Sequence, residues 1–177
     1  MNKSKNIWTE NIRMMTHDDL DLVRCWRNHE SVRSYMYTNQ IINKKEHLIW
    51  FEKTSANQFN HLLIFEYNQI PLGFVNFSNV RRSAVAEWGF YTSPDAPRGA
   101  GRRLSRAALR YAFEQLKLHK VSGQALANNE ASIKFHLNAG FKQEGILRDQ
   151  HFNGSCYQDV LCFGLLASEW QPDCGEI

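Results

Sequence analysis

The stretch Arg98-Gly99-Ala100-Gly101-Arg102-Arg103 joins a predicted strand to a predicted helix and decides the fold. Its two glycines allow the backbone to approach a ligand closely, and the unpaired N–H groups of the first helical turn favour an anion. The loop is not a P-loop, because no Gly-Lys-Ser/Thr follows, and it lacks the third glycine of a dinucleotide fingerprint. Alone, it indicates either a phosphate-binding turn or a tight strand–helix turn with a solvated basic face.

Strands and helices alternate on both sides of this loop. Hydrophobic periodicity, capping signals and an Asn-Gly turn at 153–154 predict the elements. The predicted strands cover residues 11–15, 61–67, 70–77, 85–92, 121–127, 141–152 and 157–166, and the predicted helices cover 16–28, 43–51, 101–116 and 130–139. This order predicts an α/β fold with a mixed sheet and helices on both faces, in a single domain over 1–177.

Composition restricts the class of protein. The chain has 177 residues, 43% of them hydrophobic, and a formal net charge of +3, which suits an anionic small substrate and does not require nucleic acid. No apolar stretch is long enough to span a membrane, and no secretory signal is visible at the start. The four cysteines, at 25, 156, 162 and 174, show no metal-ligand spacing, so we expect a cytoplasmic chain with reduced thiols and no metal.

A second block, Asn128 to Phe141, follows one strand after the glycine loop. Together the two blocks resemble the signature motifs of the GNAT superfamily of acetyl-CoA-dependent N-acetyltransferases. Arg98 and Gly101 match the first motif, although Arg103 stands where the family has a small residue. Asn129, Ser132 and Gly140-Phe141 match the second, with His136 in the place of the family tyrosine.

The resemblance implies a twisted, mostly antiparallel central sheet whose two central strands splay into a V that binds acetyl-CoA. The residues expected to bind this co-substrate are Phe90, Tyr91, Arg98, Gly99, Ala100, Gly101, Arg102, Arg103, Asn129 and Ser132. The six residues from Arg98 to Arg103 are expected to cradle the pyrophosphate. Asn129 is expected to bind the pantetheine arm or to order the start of its helix.

Acetyl transfer to an amine requires a base, polarisation of the thioester carbonyl, and a proton for the leaving thiolate. The resemblance implies Glu87 as the base, and apolar neighbours on its strand predict desolvation of the carboxyl. Glu130 is the second candidate, with a plain role as a first-turn helix acid. His136 is the candidate acid, with surface or packing roles as alternatives, and a backbone N–H between Trp88 and Thr92 is expected to polarise the carbonyl.

The N-terminal third resembles the N-acetyltransferases of pseudaminic acid biosynthesis, which modify flagellin sugars. Those enzymes acetylate the 4-amino group of UDP-4-amino-4,6-dideoxy-N-acetyl-β-L-altrosamine. The matching features are the Trp-Arg-Asn cluster at 26–28, the Met-Tyr pair at 36–37 and the acid and histidine at 46–47. The residues expected to bind a UDP-amino-sugar are Arg27, Asn28, Met36, Tyr37, His47 and Trp88.

Three other functions stay open. A ribosomal-protein-type N-terminal acetyltransferase shares the C-terminal hairpin features but requires an open groove for a peptide. An arginine stripe at 98, 102, 106 and 110 would suit a nucleic-acid-binding module, although no nucleic-acid motif accompanies it. A catalytically silent acyl-CoA sensor is the third alternative, and a homodimer is also left open.

Overall fold

The structure, a computed structural model, describes residues 9–172. Its strands are β1 (Glu10–Met14), β2 (His61–Tyr67), β3 (Ile70–Ser78), β4 (Val85–Thr92), β5 (Lys120–Leu126), β6 (Lys142–Phe152) and β7 (Tyr157–Leu166). Its helices are α1 (Leu20–Asn28), α2 (Glu30–Arg33), α3 (Lys44–Ser55), α4 (Ala100–Arg110) and α5 (Glu130–Asn138). Residues 1–8, where no secretory signal is expected, and Cys174 lie outside the described residues.

One seven-stranded sheet organises the described chain, in the order β1-β2-β3-β4-β5-β7-β6. Every neighbouring pair is antiparallel except β4 and β5, which are parallel because α4 crosses between them. The prediction of a mixed, mostly antiparallel sheet is therefore confirmed.

Helices cover both faces of the sheet, as predicted. On one face, α4 and α5 enclose a large core that includes Phe77, Leu104 and Phe163. On the other face, α1 and α3 enclose a smaller core around Val23 and Ile64. Each sheet face buries alternate residues of the same strands, so the two cores share one sheet.

The local signals located most elements to within two residues. Thr16 with Asp19, and Asn43 with Glu46, form the capping boxes that begin the two N-terminal helical segments. Two features were not predicted: the short helix α2, and the π-helical turn Tyr111–Gln115 that ends α4. Within residues 9–172, no helix is long and apolar enough to cross a membrane.

Candidate active site

The two central strands separate after a short parallel pairing. Strand β4 pairs with β5 over three residues only, with Val85 to Glu87 lying opposite Lys120 to Ser122. Beyond these residues the strands run on to Thr92 and Leu126 without pairing to each other. A cavity of about 1010 Å³ opens here, lined by the separated strands, the start of α4 and residues from α1 to α3.

The glycine loop forms one end of this cavity. Gly99 caps α4 with a φ of 87°, a left-handed conformation that favours glycine. Gly99, Ala100 and Gly101 all line the cavity. The first-turn N–H groups of an 11-residue helix therefore begin at the cavity wall, where the helix dipole favours an anion.

The arginine side chains of the loop are placed differently from the prediction. None of the side chains of Arg98, Arg102 and Arg103 belongs to the described cavity lining. Arg103 Nε instead lies 3.7 Å from Glu10 Oε1, and its guanidinium stacks 4.5 Å from the centre of the Tyr67 ring. The predicted cradle is therefore reduced to backbone N–H groups between Gly99 and Gly101.

The other residues expected to bind the co-substrate line the cavity: Phe90, Tyr91, Asn129 and Ser132. The Phe90 ring stacks on Phe135 at 4.1 Å. Asn129 Oδ1 accepts a hydrogen bond from Ser132 N at 3.0 Å, so Asn129 orders the start of α5, one of the two roles predicted for it. Burial raises the pKa of Tyr91, which keeps its hydroxyl protonated.

His136 lies in the core and does not belong to the cavity lining. Its Nε2 accepts a hydrogen bond from Trp88 Nε1 at 3.2 Å, so its Nδ1 carries the proton and donates to the Ser132 carbonyl at 2.8 Å. Its ring stacks on Phe163 at 4.6 Å, and burial lowers its pKa. A neutral imidazole with both nitrogens engaged has no proton free for a leaving thiolate, so the structure does not support the predicted acid role.

Trp88 shares this core. Its indole is 6% exposed, stacks on Phe141 at 4.8 Å and donates its only N–H to His136. The residue reaches the cavity wall but offers no open ring face to a ligand, so the structure does not support its predicted role in binding a UDP-amino-sugar.

The two candidate bases lie in different places. Glu87 lines the cavity at the point where β4 leaves β5, and it is exposed rather than enclosed by apolar neighbours as predicted. Glu130 is not part of the cavity lining and pairs with Lys134 Nζ at 3.0 Å on the exposed face of α5. The structure therefore separates Glu130 from the site and leaves Glu87 as the candidate.

Two predicted substrate ligands hold the segment between α2 and α3, residues 34–43, which we call the clamp loop. Arg27 Nη2 donates to the Thr38 carbonyl at 2.6 Å. The Asn28 amide pairs with Ile42 twice at 2.8 Å, donating to its carbonyl and accepting from its N–H. Arg27 lines the cavity, whereas Asn28 does not and acts on the loop backbone instead.

The clamp loop carries Met36 and Tyr37, which both line the cavity as predicted. Tyr37 Oη donates to Gln124 Oε1 on β5 at 2.7 Å, and its ring meets His151 edge-on at 5.2 Å. The loop is therefore tied to the sheet across the cavity, at a residue 87 positions away in sequence.

His47 is 4% exposed, lines the cavity and stacks on Trp50 at 4.9 Å. Burial lowers its pKa, and the nearby guanidinium groups of Arg24 and Arg27 lower it further. Three buried nitrogens of this group have no hydrogen-bond partner among the described residues: Arg24 Nε, Arg27 Nη1 and His47 Nδ1.

The polar residues of the cavity wall that sequence reasoning missed include Gln124, Glu144 and Cys162. Glu144 is turned to the cavity by a bulge in β6, where the register with β7 shifts between Gln143 and Gly145. Alternation along β5 would have found Gln124, which shares a strand face with Ser122, but nothing local signals the bulge.

Comparison with known proteins supports the same family. The family described as Acetyltransferase (GNAT) domain matches residues 11–142. The chain is 27% identical over 128 residues to Acetyltransferase PseH of Campylobacter jejuni, covering 72% of this chain and 79% of that protein. It is 25% identical over 164 residues to Spermidine N(1)-acetyltransferase of Vibrio cholerae, covering 90% of this chain and 94% of that protein.

A crystal structure of spermidine N-acetyltransferase from Vibrio cholerae, in complex with CoA and spermine, superposes with a TM-score of 0.83. The two chains are 24% identical, and the match covers 90% of this chain and 96% of that one. The matched family model agrees with the geometry of the site, in which the central strands separate and a glycine loop begins a helix. The chain belongs to the GNAT acetyltransferase family and is an acetyl-CoA-dependent N-acetyltransferase.

Proposed function

We propose that this enzyme acetylates the 4-amino group of a UDP-linked amino-deoxysugar, as expected for the pseudaminic acid pathway and flagellin glycosylation. The likeness to Acetyltransferase PseH supports this acceptor class. Transfer is direct, in a ternary complex of a single catalytic domain, without a covalent acetyl-enzyme.

The observation that carries the proposal is the group of unpartnered nitrogens beside the cavity. Arg24 Nε, Arg27 Nη1 and His47 Nδ1 are buried without hydrogen-bond partners in the described chain. Buried polar groups nearly always have partners in native proteins, so these nitrogens favour a bound polar group that supplies the missing partners. Two guanidinium groups and an imidazole suit the diphosphate of a nucleotide sugar better than an uncharged or cationic acceptor.

The cavity fits acetyl-CoA at its other end. The left-handed Gly99 and the first-turn N–H groups of α4 match a pyrophosphate, and the gap between β4 and β5 leaves room for a pantetheine arm. Acetyl-CoA supplies the acetyl group as a thioester. Because Arg27 and His47 line the same cavity as Gly99, Ala100 and Gly101, both substrates can be held at the same time, which supports direct transfer.

Glu87 is the proposed base. The amine must lose a proton before it attacks, and Glu87 is a carboxylate on the cavity wall at the point of the strand separation. Backbone N–H groups of the unpaired side of β4 are the proposed donors to the thioester oxygen, where negative charge develops.

The test is acetylation of UDP-4-amino-4,6-dideoxy-N-acetyl-β-L-altrosamine, followed by mass spectrometry of the sugar and by free-thiol release. One acetyl group gained per thiol released is the expected result. Arg27→Ala should raise the KM for the sugar at least tenfold and leave the KM for acetyl-CoA within twofold. Arg82→Ala, on an exposed turn outside the cavity, is the matched control.

Thermal stabilisation by acetyl-CoA without transfer to the sugar would reject the acceptor and send the search to polyamines and peptide N-termini. An equal rise of both KM values in Arg27→Ala would indicate misfolding of the variant rather than the loss of a contact with the sugar.

A further inference from the structure

The acceptor side of the cavity contains a second carboxylate that no motif indicates. Glu144 lines the cavity from the bulge of β6. Its carboxyl lies directly over Gly164, where a Cβ atom would come within 2.6 Å of both carboxyl oxygens and of the carboxyl carbon. The absence of a side chain at Gly164 therefore provides the space in which the Glu144 carboxylate rests.

Lys120 fixes this carboxylate. Its Nζ donates to both oxygens of Glu144 at 2.6 Å. The lysine comes from β5, so two different strands position the group. A charge-assisted, two-oxygen contact holds a carboxylate more firmly than a single neutral hydrogen bond would.

Sheet register brings Glu144 and Glu87 to the same row of the cavity floor. Glu87 is opposite Ser122, and Ser122 is opposite Gly164. Directly paired residues point to the same sheet face, and neighbouring strands are about 4.8 Å apart. The Cα atoms of Glu87 and Gly164 are thus roughly 10 Å apart on one face, so one small amine-bearing group fits between the two carboxylates.

The charge of this row differs from that of the rest of the cavity. Glu87 and Glu144 carry two negative charges against the single positive charge of Lys120. Elsewhere in the cavity, the buried and unpaired Arg27 Nη1 and the N–H groups at the start of α4 favour an anion instead. An acceptor with an ammonium at one end and a diphosphate at the other can therefore satisfy both regions in only one orientation.

We propose that Glu144, held by Lys120 above Gly164, binds the amine-bearing end of the acceptor and fixes its orientation toward Glu87. The inference rests on the proposed function in requiring an amine acceptor in this cavity. It goes further in naming the carboxylate that selects for a protonated amine. Glu87 removes the proton, and Glu144 provides binding.

The test uses two variants that reach the carboxylate in different ways. Glu144→Gln removes its charge, and Gly164→Ala keeps the charge but displaces the flexible end of the side chain. Gly145→Ala is the matched control, since an added Cβ there meets nothing within 4 Å. Thiol release is measured against acceptor concentration and against acetyl-CoA concentration, with the UDP-linked 4-amino sugar and, separately, with spermidine.

We expect Glu144→Gln and Gly164→Ala to raise the KM for the acceptor about tenfold, with kcat changed less than threefold and the KM for acetyl-CoA within twofold. Gly145→Ala should match the wild type. An unchanged acceptor KM in Glu144→Gln, or an equal rise in both KM values, would overturn the inference.

Acetylation of spermidine but not of the sugar would reject the proposed acceptor, and the same variants would then test Glu144 on spermidine. A wild-type enzyme that acetylates neither amine would reject both proposals.

Discussion

Glu87 shows how a single position acquires a role from the strands beside it. It is the last residue of β4 that pairs with β5, so its side chain lies where the cavity begins. A residue one position later, Trp88, points to the opposite face and joins the aromatic core. The two-residue period of the strand thus separates a candidate base from a packing residue.

We expect Glu87→Gln to lower kcat about 100-fold, the usual contribution of a general base, with a smaller change in the KM for the acceptor. Steady-state thiol release, measured at varied concentrations of the acceptor amine, gives both constants. Glu114→Gln, an exposed carboxylate at the end of the α4 region, serves as the control. Turnover that stays within threefold of the wild type would assign the base to another group.

His136, by contrast, is a motif residue whose surroundings give it a packing role. Its position in the motif suggests chemistry, but its imidazole is 1% exposed and bonded at both nitrogens. Gly123 shows how closely it is packed, because a Cβ there would come within 2.6 Å of His136 Nε2. The residue stabilises the contact between α5 and the sheet.

At the scale of elements, the clamp loop is held by side chains of the segments around it. Three side chains, Arg27, Asn28 and Arg33, donate to carbonyls of its backbone. Tyr37 ties its far side to Gln124. Since the loop presents Met36 and Tyr37 to the cavity, its order and its substrate contacts are linked.

We expect Asn28→Ala to break both bonds to Ile42, to lower the free energy of unfolding by about 1–2 kcal/mol, and to raise the KM for the acceptor severalfold. Urea unfolding and steady-state kinetics measure the two effects. Asn138→Ala, on the exposed end of α5, is the control and should change neither. Lower stability with an unchanged acceptor KM would show that the loop does not shape the acceptor site.

At the scale of the whole molecule, burial of histidines links folding to pH. Burial lowers the pKa of His47, His61 and His136 below the ordinary value of 6.5. The unfolded chain therefore binds more protons than the folded chain below about pH 6.5, so stability falls as the pH falls through this range. Burial raises the pKa of the Asp19 carboxyl, but its hydrogen bonds and ion pair with Arg13 hold that pKa below the ordinary value of 3.8. Asp19 therefore affects stability only at lower pH.

We expect the free energy of unfolding to have a positive slope against pH between pH 5 and pH 7, because the unfolded chain binds protons that the histidines of lowered pKa in the folded chain do not. Urea unfolding at half-unit pH intervals measures this slope. His61→Gln, on the sheet face opposite Glu87, should reduce this slope. A flat profile between pH 7 and pH 5 would contradict the assignment of these histidines as buried and neutral.

The sequence by itself determined the elements and the family. Capping boxes at Thr16 and Asn43, the hairpin at 153–154 and the glycine loop before α4 depend on neighbouring residues, so each is readable without knowledge of the rest of the chain. The order of these elements predicted the mixed sheet, and the resemblance to the GNAT family implied the separation of its central strands; the structure bears out both.

Only the tertiary structure decided where the side chains of the site point. Arg103 stacks on Tyr67, His136 meets Trp88, and Asn28 pairs with Ile42 because of contacts between residues distant in sequence. Glu144 reaches the cavity through a bulge in β6 and the free space above Gly164, which belong to two different strands. Backbone conformation follows local chemistry, whereas the environment of a side chain depends on the elements that pack against it, and no single stretch of sequence specifies those.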